Sequence, residues 1–156
     1  MSIVKKYEEL EKYLRKDDAD KINQTFNEIL NETFEMVNKK IDSKSTFDVN
    51  NPEEAAAVRA MFEYMLELWN DGEIDEAKEV GYDMAYLVED PKLKEMFSMY
   101  VLGMIANMNI DKFFDKYVDD SKAYKDIFLA EFKDDIDELI IKHKKQFQEE
   151  FSKDAK

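Results

Sequence analysis

The sequence predicts an all-α protein, a compact bundle of about six to seven helices, and three observations carry that prediction. Apolar residues recur every three or four positions over long stretches, the spacing that puts them on one face of a helix. Three Gly and two Pro in 156 residues are too few for the frequent turns of a β-sandwich or barrel. A hydrophobic fraction of 44%, with eleven Phe and eight Tyr, is enough apolar surface for a core and too much for a disordered chain. A chain of this length buries roughly two-thirds of its unfolded surface in one domain, so residues 1–156 are read as a single all-α domain. The expected layout is two stacked helical hairpins flanked by long N- and C-terminal helices.

Taken in order, Ile3, Tyr7, Leu10 and Leu14 define a first helix over about residues 3–16, ended by Lys16-Asp17-Asp18. Asp18 or Asp20 caps a second, which carries Ile22, Phe26, Ile29, Leu30, Thr33, Phe34, Val37 and Ile41 on one stripe to about residue 43. Residues 43–51 are rich in Ser, Thr, Asp and Asn and are expected to form a flexible loop. Pro52 suits a first helical turn, where its missing N–H is not needed, and opens a third helix to Trp69 with apolar residues around most of its circumference. Asn70-Asp71-Gly72 is a stop, because Gly just past a helix end can take the left-handed conformation that closes the last carbonyls.

A fourth helix, about 73–88, places Ile74, Ala77, Val80, Met84 and Leu87 inward. Its small residues Ala77, Gly81 and Ala85 leave room for a close neighbour. Asp90-Pro91 opens a fifth with hardly any polar face, the candidate central helix. A short helix with Ile110, Phe113, Phe114 and Tyr117 starts at Asn109 or Asp111. A last helix is expected over about 121–151 on the stripe Tyr124, Phe128, Phe132, Ile136, Leu139, Ile140, His143 and Phe147, with a frayed tail at about 152–156.

At an offset of 36 residues Met61, Tyr64, Leu66, Leu68, Ile74, Asp75 and Asp83 align with Phe97, Tyr100, Leu102, Met104, Ile110, Asp111 and Asp119. The period is near that of tetratricopeptide repeats, and Gly72, Ile74 and Ala77 match part of that motif. Gly81 and Met84 stand where its aromatic and Ala belong, so no family is assigned.

Charge narrows the partners. Against 23 basic residues stand 37 acidic ones, a net of −14, and only Arg15 and Arg59 carry guanidinium groups. A nucleic-acid binder needs a basic stripe to displace counterions from phosphates, and an anionic membrane repels an acidic surface. Neutral or basic protein or peptide partners are expected, without direct nucleic-acid or membrane binding. The absence of Cys excludes disulfides, thiol nucleophiles and Cys-ligated zinc. The segment Met1 to Lys6 lacks an apolar signal core, and Met96 to Ile110 is too short to span a bilayer, so a cytoplasmic location is expected.

Reactive constellations are sparse. His143 is the sole histidine, lies on the apolar stripe and reads as a core or boundary residue. The serines occupy no nucleophile-elbow context. Carboxylates meet on helices at Asp111, Asp115 and Asp119 and at Glu73, Glu76, Glu79 and Asp83, where they could hold Mg²⁺. The second set resembles, in distorted form, the Glu-x-x-Glu and Glu-x-x-Asp ligands of helical nucleotide pyrophosphohydrolases, but both pairs fall on one helix. A solvated acidic face is the preferred reading, and no cofactor is expected.

Seven of nine methionines fall between Met61 and Met108. Flexible thioethers fill irregular cores, the preferred reading of these residues, and also line grooves for apolar helices. With reactive constellations sparse and the surface acidic, the leading expectation is a non-enzymatic acidic adaptor or chaperone-like protein, more a binder than an enzyme, that holds an apolar, basic-flanked segment at Met61, Met65, Trp69, Met96, Met99 and Tyr100. An exposed apolar patch beside the fifth helix would accompany it. The alternatives are a Mg²⁺-dependent nucleotide hydrolase using Glu73, Glu76, Glu79 and Asp83, and an acidic mimic of nucleic acid.

Overall fold

The computed structural model describes residues 2–124 and 129–154, with side chains outside 120–130 and 154. Among these residues the chain forms seven helices and one small hairpin: α1 (Ile3–Arg15), α2 (Ala19–Ser43), α3 (Pro52–Asn70), α4 (Ile74–Leu87), α5 (Pro91–Ile105), α6 (Ile110–Tyr117), β1 (Val118–Tyr124), β2 (Leu129–Phe132) and α7 (Ile136–Asp154). The all-α bundle expected from the periodicity is the observed architecture, and none of the described helices is long and apolar enough to cross a membrane.

Polar side chains start the helices where the sequence places them. Ser2, Asp18, Asn51, Asp90 and Asn109 each accept a backbone N–H of the first turn that has no intrahelical partner. Pro52 and Pro91 sit at the first helical position. After α3, Gly72 takes φ +86° and the N–H of Glu73 reaches back to the Leu68 carbonyl at 2.9 Å, the closure that a left-handed residue permits. Asp17, Lys44 and Asn107 make the same left-handed closure after α1, α2 and α5 without glycine.

Packing follows from the small residues. α4 lies between α3 and α5, and a Cβ added at Gly81 would collide with Val101, so the stripe Ala77, Gly81 and Ala85 is where α5 comes close. Gly103 of α5 plays the same part for Phe113 and Trp69. Tyr100 sits at the centre of an aromatic cluster, its ring 5.0 Å from Phe62 and Phe132, 5.6 Å from Phe113 and 5.8 Å from Phe114. α5 is thus the central helix.

Residues 43–51 are less free than their composition suggests. Phe47 is fully buried, its N–H donates to the Leu87 carbonyl at 2.7 Å, and its own carbonyl accepts from Glu89, pinning this loop to the end of α4.

The expected helix over 121–151 is corrected. Val118–Tyr124 and Leu129–Phe132 pair as antiparallel strands, bulged between Asp119 and Ala123, and α7 begins only at Ile136. Apolar residues four apart also fit alternate strands, and tertiary contact decides: Phe132 packs on Tyr100 and Phe113, while the Lys133 N–H closes the hairpin base on the Tyr117 carbonyl at 2.8 Å. The chain thereby turns back so that Ile136 and Leu139 are buried and α7 lies along α5. Phe128 lies outside the described residues. At the far end α7 is held by Glu150, which accepts from Lys78 at 2.9 Å and Tyr82 at 3.1 Å, and by Phe147 and Phe151 against the Tyr82 ring. α7 continues to Asp154.

Candidate functional site

The six residues expected to line a groove are core residues. Met61, Met65, Trp69, Met96, Met99 and Tyr100 are each 8% exposed or less, and Met65 and Tyr100 are fully buried. Trp69 packs at a tilt against Phe113, ring centroids 5.2 Å apart, and donates its indole N–H to the Met108 carbonyl at 3.1 Å, a satisfied interior position. Burial pushes the Tyr100 phenol well above its usual range. The expected open apolar patch at these six is therefore not present: α6, β2 and α7 close over α5.

The acidic quartet does not converge. Glu73, Glu76 and Glu79 are exposed and Asp83 is half-buried, all on or next to the single helix α4. Among the described residues, no three His, Cys, Asp or Glu side chains come together as a metal-holding group. Asp111 and Asp115 project from α6 and Asp119 from β1. They rim an open concavity of about 560 Å³ with Phe114 and Val118 at its floor and Lys112 and Lys133 alongside. His143 is half-buried on α7.

One cleft reaches down to two of the buried methionines, Met96 and Met99. It lies where the start of α5, the end of β2 and the start of α7 meet, and it encloses about 220 Å³. Met96, Met99, Phe132 and Ile136 form its floor; Lys92, Glu95, Glu131, Lys133, Asp134 and Asp137 form its rim. Lys92 is neutralised by Glu131 at 3.0 Å. Lys133 donates to the Asp115 backbone carbonyl at 2.8 Å, which leaves its charge uncompensated by that contact. Glu95, Asp134 and Asp137 make no salt bridge among the described residues.

Local structure explains why acids gather here. Asp134 and Asp135 occupy the turn before α7, and Asp137 and Glu138 its first turn, where the helix dipole favours negative charge. On the opposite side of that turn Glu138 accepts from Tyr117 at 2.8 Å and pairs with Lys116 at 3.0 Å. Those two partners, Tyr117 first, hold its carboxyl below the ordinary range. They fix the start of α7, and with it one wall of the cleft. The same run, Asp134-Asp135-Ile136-Asp137-Glu138, is a helix-start signal that the sequence reading passed over because the stripe ran through it. Comparison with family models, with curated proteins and with solved structures finds no match.

Proposed function

We propose that this chain is a non-enzymatic binding protein, adaptor or chaperone-like, that holds a basic-flanked apolar segment of a protein partner. The observation that carries the reading is the α5–β2–α7 cleft, where a thioether and aromatic floor lies beneath a rim with three carboxylates that form no salt bridge among the described residues. A lysine or arginine side chain has the matching shape of charge: an apolar stem for Met99 and Phe132, and a cationic head for Glu95, Asp134 and Asp137. The net charge of −14 adds long-range attraction for such a partner, which accelerates encounter more than it tightens the complex.

The test is fluorescence anisotropy with a labelled leucine-rich peptide flanked by Lys and Arg. Binding is expected for the native chain, loss for Glu95→Lys/Asp134→Lys, and retention for Glu73→Lys/Glu76→Lys, an equal charge reversal on α4. No binding by the native chain would overturn the reading. Mg²⁺-dependent consumption of a nucleoside triphosphate by the same protein would replace it with the hydrolase alternative.

A further inference from the structure

The outward face of α7 carries the most exposed large apolar side chain among the described residues. Ile141 is 82% exposed, against 50–56% for Leu14, Ile41 and Tyr86. Its neighbours on that face, three and four residues away, are Asp137 and Glu138 on one side and Lys144 and Lys145 on the other, and all four are exposed. The stripe therefore runs acid, isoleucine, base along the helix. Asp137, Lys144 and Lys145 make no salt bridge among the described residues, and Asp137 and Lys145, about 12 Å apart along the axis, are too distant to pair within one helix. Ile136 and Leu139 are buried on the opposite side, so this stripe is separate from the one that packs α7 on α5.

We infer that this stripe is the interface of a symmetric dimer, in which α7 packs antiparallel on α7 of a second copy of the chain with the two-fold axis at Ile141. That axis sets the two Ile141 side chains against each other, Asp137 opposite Lys145 of the second copy and Glu138 opposite its Lys144, each pair occurring twice. A parallel pair would set Asp137 on Asp137 and Lys145 on Lys145, so the order of charge selects the antiparallel arrangement. Glu138 already pairs with Lys116 at 3.0 Å, which leaves Asp137 with Lys145 as the deciding contact. The patch is one helix face, and the net charge of −14 on each copy opposes approach, so the dimer is weak and exchanges rapidly. The inference does not depend on the binding reading, although Asp137 also stands at the rim of that cleft.

Sedimentation equilibrium of the full chain at physiological ionic strength, at concentrations up to about 1 mM, measures the association. The native chain is expected to dimerise, and Asp137→Lys, Lys145→Asp and Ile141→Ser each to weaken the dimer roughly tenfold or more. Each charge exchange alone turns two attractive contacts into two repulsive ones. The two single exchanges mixed together, or the double exchange Asp137→Lys/Lys145→Asp in one chain, put opposite charges back at both contacts and are expected to recover the native affinity. Circular dichroism melts show that each variant is folded. A native chain that stays monomeric throughout this range overturns the inference, as does a dimer that survives the single exchanges or is recovered neither by the mixture nor by the double exchange.

Discussion

Gly81 of α4 faces Val101 of α5 so closely that no side chain fits between them, and Val101 itself has no solvent-exposed surface into which to retreat. The next nearest atom to the missing Cβ is the Met65 sulfur at 3.3 Å, so the site is walled from α3 as well. Gly81→Ala is expected to destabilise the fold by about 1–2 kcal/mol, because overpacking of roughly 1–3 kcal/mol exceeds the gain of under about 1 kcal/mol from better helix propensity. A lower urea midpoint with unchanged slope is the readout. A raised midpoint would mean that α5 can shift away.

The Glu53 carboxylate on α3 accepts the Ser2 hydroxyl and, at 2.9 and 3.0 Å, the backbone N–H groups of Ile3 and Val4, so it caps α1 from across the structure. Burial alone would raise its pKa, but the Ser2 bond and the two backbone bonds together outweigh it and hold the carboxyl below the usual range. A depressed carboxyl contributes stability above its unfolded value, about 4.3, and loses it as pH falls through the folded value. Glu53→Gln is expected to cost about 1 kcal/mol at neutral pH, and the gap to the native chain should narrow on acidification. Urea titrations at neutral and acidic pH measure it; a gap that widens in acid contradicts the capping role.

Tyr100 is central to the aromatic cluster, and this governs how the binding reading can be probed. Tyr100→Asp places a charge among Phe62, Phe113, Phe114 and Phe132, and a loss beyond about 4 kcal/mol is expected, enough to abolish a cooperative thermal melt. Substitutions at the rim, Glu95 or Asp134, should leave the melt intact and are the ones suited to binding assays.

Phe47→Ala removes the one fully buried side chain of the 43–51 loop. A cost of roughly 3–5 kcal/mol is expected from the cavity. The more specific outcome is faster proteolytic cleavage within residues 43–51 than at any other connection, mapped by mass spectrometry of the first fragments.

Most helix starts were legible because they are chemical signatures: Asp90 before Pro91, Asn51 before Pro52. Helix ends were legible too: the expected ends of the first four helices fall within one residue of Arg15, Ser43, Asn70 and Leu87. Asp17 and Asn107 take the left-handed conformation that short polar side chains tolerate, whereas Lys44 takes it without that aid. The hairpin escaped because Phe132 serves a four-residue helical stripe and a strand equally well, and only its contact with Tyr100 selects the strand. The methionine-rich stretch reads from sequence as core first and groove second, because both use the same residues, and Met61, Met65, Met84, Met96, Met99 and Met104 are buried. The cleft above the buried Met96 and Met99 depends on α5 meeting the start of α7, a proximity no local pattern encodes.

Trp69 is the sole tryptophan, sealed against Phe113, with its indole N–H fixed on the Met108 carbonyl where the chain enters α6. The protein therefore carries a built-in optical reporter. Its emission registers solvent entry at the junction of α3 and α6, so an unlabelled sample can show whether that joint opens before, with or after the loss of helix seen by circular dichroism.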